Sequence, residues 1–513
     1  MNGSAATSSL PESPRVPMTV SRSGGALLYC IAAAMVVLLG ISNRGYGFHR
    51  DELATLDDAR HLAWGYVAYP PLTPFFGWLS LHLFGESLPG FRFFATLATG
   101  TGTLLTGLMA RQLGGGQAAQ LLAAGATLFF GLAAGSLMQY VAFDYLCWIL
   151  VAYFFVRLLQ SNDPRWWAAI GGAIGLGMLT KYSMLFCVAG LASGFVVADR
   201  WRDLTSRWFW FGVFLSLIIF LPNLIWQIRN GFISLDFLRH IHQRDIRIGR
   251  TRDFLPDQLK ITVFAFPLAV AGLVFFLVTR DGRSYRGAGL IYLVALVLFI
   301  IARGRGYYLA PAYPLLYAGG AVLLERWMAK WHRIAAIAGW SLAVIAFCAN
   351  IALVMAVVMP IAPVNTSWGK NALATNDDLA EEIGWPELVE EVAAVRDSIP
   401  AGERSRLGIL VGNYGEGGAV NLYGPRYHLP AAISGVNSFW ARGYGDPPPA
   451  TLIVVGLSRE VLERNFESCQ LAGHLRSRYG VLNEETREHP DIFVCRGLRL
   501  SWAEFWRAFR RYG

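Results

Sequence analysis

Long hydrophobic runs alternate with polar, Arg-rich segments along the chain, and the runs set the first expectation. Stretches such as "GALLYCIAAAMVVLLGIS" and "GVFLSLIIFLPNLIW" are free of charged residues, and about 20 apolar residues in a helix cross a hydrocarbon core of roughly 30 Å. Such runs predict about eleven transmembrane helices, centred near 25–42, 89–110, 118–137, 141–159, 166–181, 183–199, 208–228, 257–279, 287–302, 307–324 and 334–359. The pattern is that of a polytopic α-helical membrane protein. The first run follows Arg15 and Arg22, but no small-x-small cleavage site comes after it, so it reads as an uncleaved anchor. Residues 1–23, rich in Ser, Pro and Gly, read as a disordered cytoplasmic N-terminus.

The polar segments orient the runs. With the N-terminus inside, the cytoplasmic loops carry Arg111, Arg157 and Arg165, then "DRWRDLTSR", "RDGRSYR" and "ERWMAKWHR", as the positive-inside rule requires. An odd number of spans puts everything after about 361 outside, along with the loop that starts "GFHRDELATLDD", residues 229–252 and "RGRG" at 303–306. The outer segments carry Arg229, Arg239, Arg244, Arg247, Arg250, Arg252, Arg303 and Arg305. The planar donor fork of Arg suits phosphate oxygens, so these positions suggest an outer site for an anionic, phosphorylated lipid. The alternative is that long outer loops escape the rule. In the first outer loop "ELATLDDARHLAWG" has helical patterning for a segment lying on the membrane surface, and "YPPLTPFFGWL" opens a second surface helix with proline near its first turn.

The tail changes character. Helix-like "WPELVEEVAAVRDSI" is followed by short apolar runs "LGILVG", "TLIVVG" and "DIFVC", which reads as a small extracytoplasmic α/β domain over 361–513 after a membrane domain over 24–360.

Composition sharpens this picture. The chain is 54% hydrophobic and only 15% charged, too apolar for ordinary soluble domains of 513 residues. Its net charge of +9 is divided among loops with no nucleic-acid-binding motif, so membrane phosphates and not nucleic acid are the expected partner. Cys30, Cys147, Cys187 and Cys348 lie in apolar runs as packing residues, whereas Cys469 and Cys495 can pair if the tail is extracytoplasmic. "GGAIGLG" at 171–177 and "LGGGQ" at 113–117 lack phosphate-loop spacing, but Gly171 and Gly175 form a small-xxx-small helix contact.

Five segments carry a resemblance: "RDEL" at 50–53, "YPPLTP" at 69–74, "FDYLCW" at 143–148, "LTKYSMLF" at 179–186 and "RGYYLAPAYPLL" at 305–316. In this order they resemble the GT-C glycosyltransferases related to protein O-mannosyltransferases and to the lipid A aminoarabinose transferase. The resemblance implies a GT-C-like enzyme of a bacterial cytoplasmic (inner) membrane. Such an enzyme transfers a sugar, with inversion, from a polyprenyl-phosphate carrier to a lipid, glycan or protein acceptor at the extracytoplasmic face. It requires no cofactor. The family's general base maps onto Asp51, with Glu52 a neighbour. A carboxylate within reach of the acceptor hydroxyl removes its proton as the anomeric carbon is attacked, while the leaving phosphate needs only charge stabilisation.

Other polar residues fall at the outer ends of the spans. Asp144 begins the fourth span, as a site acid or a helix N-cap. Lys181 sits in a tight outer hairpin, as a carrier-phosphate contact or a snorkelling lysine. Arg303, Arg305, Tyr307 and Tyr308 open the tenth span, as donor-phosphate ligands or, for the tyrosines, aromatic-belt residues. Asp51 also suits a helix N-cap, and Asp57 and Asp58 a solvated face. His49 and His61 read as surface or packing residues. The His49, Asp51, Glu52 grouping matches no divalent-metal motif, so no metal is assigned. In the tail, "NYGEGGAVNLYGPRYHLP" and "SGVNSFWARGYG" resemble a bacterial branch of the same family, and Tyr414, Glu416, Asn437 and Trp440 are candidates to line the acceptor side or to hold the domain together.

Two other functions fit parts of this pattern. A polyprenyl-lipid transporter or flippase would also carry intramembrane charges, but no paired inverted halves with broken helices are visible. A non-catalytic glycan-binding relative would have lost Asp51 or the basic residues at 303–305, and both are present.

Overall fold

The computed structural model describes residues 23–513; the stretch 1–22, expected to be disordered, lies outside the described residues. Helices fill the first two thirds. They are α1 (Ser23–Ser42), α2 (Arg50–Arg60), α3 (Leu72–Phe84), α4 (Leu88–Gln112), α5 (Gln117–Ala126), α6 (Leu128–Gly135), α7 (Tyr140–Ser161), α8 (Trp166–Met178), α9 (Met184–Val197) and α10 (Arg207–Arg229). After these come α11 (Ile233–Arg247), α12 (Phe254–Thr262), α13 (Phe266–Leu277), α14 (Arg286–Ile301), α15 (Tyr313–Met328) and α16 (Arg333–Val357).

Every expected apolar run is helical, but fewer of them span than the eleven predicted. Among the described residues seven helices are long and apolar enough to cross a membrane, or eight if α5 and α6, bent by 45° at their junction, form one span. The shortfall is one of length. α8 and α9 have 13 and 14 residues, about 20 Å at 1.5 Å per residue. The run at 307–324 begins as a 3₁₀ segment, Gly306–Ala312, before α15 takes over. α8 compensates by close packing: a Cβ on Gly171 would lie 2.0 Å from the Gly212 carbonyl oxygen, and one on Gly175 would lie 2.8 Å from Ile219. The small-xxx-small spacing read from the sequence is therefore the contact that seats α8 against α10.

Two helices form in the expected first outer loop, but α2 lies beneath the tail with most of its residues buried, not on a surface. α2 starts on an N-cap at His49 and α3 on Pro71, with Pro74 in its first turn. α10 and α16 leave Leu217, Ile218, Leu221, Ile334, Leu342 and Ile345 exposed, the outward apolar surface of a membrane bundle.

The tail holds α17 (Ser367–Thr375), α18 (Trp385–Ser398), α19 (Ala401–Arg404), β1 (Leu407–Val411), α20 (Tyr414–Tyr423), β2 (Ala432–Ser434), α21 (Asn437–Arg442), β3 (Thr451–Val455), α22 (Arg459–Asn465), β4 (Phe466–His474), α23 (Glu484–Glu488), β5 (Asp491–Leu498) and α24 (Trp502–Ala508). Its sheet has the order β2-β1-β3-β5-β4, parallel at β2-β1-β3 and antiparallel at β3-β5-β4. Cys469 and Cys495 face each other across β4 and β5 and form a disulfide.

The cores show how the parts join. One apolar core lies within the bundle, among α5, α7, α9, α13, α14 and α15. A second crosses from membrane portion to tail: Leu53 and Leu56 of α2, Phe91 and Phe143 pack in one cluster with Trp385, Leu388, Val389, Ile409 and Val420. α20 is laid directly on α2, where a Cβ on Gly418 would lie 2.5 Å from the Leu53 carbonyl oxygen. Any larger residue there would push the helices apart.

Candidate active site

α2 places the two neighbouring carboxylates in opposite environments. His49, not Asp51, is the N-cap: its Nδ1 accepts from the Asp51 amide at 3.1 Å, while Glu52 Oε2 accepts from the His49 amide at 3.0 Å, closing a capping box. Asp51 is thus free of capping duty and partly exposed. Its Oδ1 accepts from the Tyr414 hydroxyl at 2.9 Å and its Oδ2 from Gln139 Nε2 at 3.0 Å. Both donors are neutral, and no cation lies within ion-pair distance of Asp51 among the described residues.

Glu52 does not reach the site. It is fully buried, and Arg92 Nε and Nη2 donate to it at 2.9 and 2.6 Å, with the Met138 amide at 2.7 Å. Arg92 also meets Glu382 from the tail at 3.2 Å. Since Glu52 already neutralises Arg92, burial and the Glu52 charge push Glu382 up to about 8. The catalytic expectation for Glu52 gives way to a structural one, because its lone pairs are already committed.

Asp57 and Asp58 also depart from expectation. They are buried, not solvated, and Arg442 of the tail binds both. Asn421 Nδ2 donates to Asp57 at 2.7 Å, and the Tyr69 hydroxyl to Asp58 at 2.7 Å. Burial pushes Asp58 up to about 6 against the opposing Arg442 charge. The amphipathic pattern correctly marked a polar face, and the tail covers it.

At the start of α7, Gln139 and Tyr140 connect Asp51 to a second charged group. Gln139 bonds Asp51, and the adjacent Tyr140 forms one wall of a cage around Lys181. The Lys181 ammonium lies 3.6 Å from the Tyr308 ring centroid, 5.0 Å from Tyr140 and 5.4 Å from Tyr307. Tyrosine faces attract an ammonium without neutralising it, and no carboxylate lies within 4 Å of Lys181 among the described residues. Asp144, buried one turn into α7, accepts from Trp148 Nε1 at 3.1 Å and is not an N-cap, a position held by Gln139.

The remaining candidates separate. Arg305 makes a two-point pair with the buried Asp245 of α11, Nε to Oδ2 at 2.6 Å and Nη2 to Oδ1 at 3.0 Å. Its fork is therefore largely occupied. Arg303 is exposed, with a left-handed φ of 46°. In the tail, Tyr414 joins Asp51, but the other three acceptor-side candidates do not. Glu416 is buried and caps α20, accepting from the Gly412 amide at 2.8 Å and the Asn413 amide at 3.1 Å; burial pushes it up to about 8. Asn437 bonds the Gly513 backbone, and the Trp440 and Trp506 indoles donate to each other's carbonyls. These three hold the domain together.

Arg92, Gln139, Tyr140, Tyr69 and Arg442 were missed. Arg92 carried a readable signal, a charge within an apolar run that must find a partner. Tyr69 lay in a quoted motif, and the others became visible only when distant segments met.

The comparisons bear on the fold. Residues 68–226 match the family model described as dolichyl-phosphate-mannose-protein mannosyltransferase, a stretch that includes Tyr69, Gln139, Asp144 and Lys181. The matched stretch is about a third of the chain. The chain shares its fold with the crystal structure of ArnT from Cupriavidus metallidurans bound to undecaprenyl phosphate, at 15% identity and a TM-score of 0.56, over 93% of this chain and 98% of that one. The apo state of the same ArnT gives 14% and 0.57, over 92% and 98%. The arabinofuranosyltransferase AftD from Mycobacteria gives 15% and 0.52, over 93% of this chain and 42% of that chain. No curated protein matches the sequence.

Proposed function

We propose that this chain moves a sugar from a polyprenyl-phosphate carrier to an acceptor hydroxyl at the extracytoplasmic face of a bacterial inner membrane, with inversion and with Asp51 as general base. The observation that carries the reading is a contrast of charges. Glu52, Arg92, Arg305, Asp245, Asp57, Asp58 and Arg442 are all engaged in ion pairs, whereas Asp51 and Lys181 have no counter-ion within 4 Å among the described residues, although adjacent residues of α7 connect them. A carboxylate and an ammonium left without a direct ion-pair partner keep capacity for a substrate, and that is what a transfer from a phosphate leaving group requires.

In the proposed step Asp51 takes the acceptor proton as the acceptor oxygen bonds to the anomeric carbon. The anomeric carbon–oxygen bond breaks, its electron pair leaves with the carrier phosphate, and Lys181 in its tyrosine cage stabilises the gathering charge. Asp144 keeps the Lys181 region from becoming a net positive site, and Arg303 remains an exposed contact for the carrier at the rim. ArnT, which shares the fold, is described as bound to undecaprenyl phosphate, and this supports a polyprenyl carrier here. The Cys469–Cys495 disulfide supports an oxidising compartment for the tail.

The test is mass spectrometry of lipid and glycan extracts from the host with the gene deleted and then complemented. One sugar modification is expected to disappear on deletion and to return with wild type but not with Asp51→Asn. Equal restoration by Asp51→Asn would remove Asp51 as the base and favour the transporter or the non-catalytic reading.

A further inference from the structure

Asp51 belongs to the membrane portion, yet one of its two hydrogen-bond donors does not. Tyr414 is the first residue of α20 in the tail and lies 363 positions along the chain from Asp51. We propose that Tyr414 is a positioning residue for transfer, so that the tail domain completes the active site instead of only covering it; this rests on Asp51 being the base.

Three independent features place the hydroxyl. The fold of the tail brings α20 onto α2, and the Gly415 and Gly418 positions admit no side chain: a Cβ at 415 would lie 3.0 Å from Arg50 Cβ, and one at 418 would lie 2.5 Å from the Leu53 carbonyl oxygen. The shared apolar core of Leu53, Leu56, Trp385 and Val420 fixes the two helices in register. Finally, the Arg50 guanidinium stands 5.1 Å from the Tyr414 ring centroid, with Glu381, Glu484 and Glu485 around it, so the ring is held on a cation–π contact that the tail itself anchors.

The consequence for Asp51 is directional. A carboxylate has about four acceptor positions. Tyr414 occupies one on Oδ1 and Gln139 one on Oδ2, which stops rotation of the group and leaves the remaining lone pairs for an acceptor proton. The buried phenol, pushed above its ordinary value by burial and by the Asp51 charge, stays protonated and therefore always donates. Without it the carboxylate keeps Gln139 alone and can turn about that single bond.

The experiment compares Tyr414→Phe, which deletes only the hydroxyl, with Asn421→Ala, which breaks the α20 contact to Asp57 two turns away. Three quantities are read: the rate of appearance of the product lost on gene deletion, binding of undecaprenyl phosphate by native mass spectrometry, and the melting temperature in nanodiscs. Tyr414→Phe is expected to slow product formation roughly ten- to hundredfold, as for loss of a hydrogen bond to a charged group, with undecaprenyl phosphate binding and melting unchanged. Asn421→Ala is expected to keep its rate. In an Asp51→Glu background, where the carboxylate is displaced from the hydroxyl, the Tyr414→Phe effect is expected to shrink towards onefold.

A wild-type rate for Tyr414→Phe overturns the inference, and so does an equal loss in Asn421→Ala or full additivity with Asp51→Glu, because either would reduce Tyr414 to a docking contact. If Asp51→Asn is dead while Tyr414→Phe is wild type, only this inference fails. If both are wild type, the assignment of Asp51 as base fails with it.

Discussion

Asp51 and Glu52 are neighbours on one helix turn, and they teach different lessons about polar residues in an apolar chain. Glu52 is fully buried with donors from Arg92, His49 and Met138, and it ties α2 to α4 and, through Glu382, to the tail. Asp51 is partly exposed and meets only two neutral donors. A buried carboxylate whose partners are complete stabilises structure, whereas one whose partners are incomplete keeps capacity for a substrate. Proximity in sequence made the two look alike; their saturation separates them.

This contrast can be broken by paired substitutions. The largest effect is expected from Asp51→Asn, which should lower transfer roughly 10²- to 10⁴-fold with melting unchanged; an active Asp51→Asn enzyme would erase the distinction. Glu52→Ala should do the reverse, costing about 3–5 kcal/mol of stability because Arg92 is left buried with an incomplete partner, measured as a large fall in melting temperature. A Glu52→Ala protein that melts like wild type but does not turn over would exchange the two roles.

Smaller effects sharpen the picture. Lys181→Gln should weaken undecaprenyl phosphate binding about tenfold or more, by loss of a charge-assisted contact, and unchanged binding would move the phosphate site towards Arg303. The smallest effect concerns the knot that holds Glu52. Glu382, at about 8 in the folded chain, lies far above the ordinary glutamate value. Folding therefore retains its proton, and the resulting stabilisation, fully present below the unfolded value, is lost as pH rises through about 8. Melting temperature should fall across that range in wild type and fall less steeply in Glu382→Gln; parallel curves would assign the titration elsewhere.

Hydrophobic periodicity carried most of the fold. It located the apolar runs of the bundle, α2, α3, α18 and the strands β1, β3 and β5, but it read α11 as part of a loop. It overcounted spans because an apolar run does not reveal that α8 and α9 stop after 13 and 14 residues. It missed β4, whose exposed edge position carries the mixed run "FESCQLAGH" without an apolar face. At the site, the motif segments pointed to Asp51, Lys181 and Tyr308, which the fold does bring to one end of the bundle. Composition could not distinguish Glu416, Asn437 and Trp440, which bond within the tail, from Tyr414, which reaches out of it. Nor could it show that Asp57 and Asp58 lie under Arg442, since that pairing spans more than 380 positions.

The apolar cluster that joins Leu53 and Leu56 to Trp385 and Val420 has a thermodynamic meaning. Two domains with separate cores can melt separately, but a core that both contribute to is lost by both at once. The tail and α2 should therefore exchange amide hydrogens as one cooperative unit, at a common opening free energy. Motion that admits substrate then has to come from elements outside that unit, such as the exposed, arginine-bearing segment after α11.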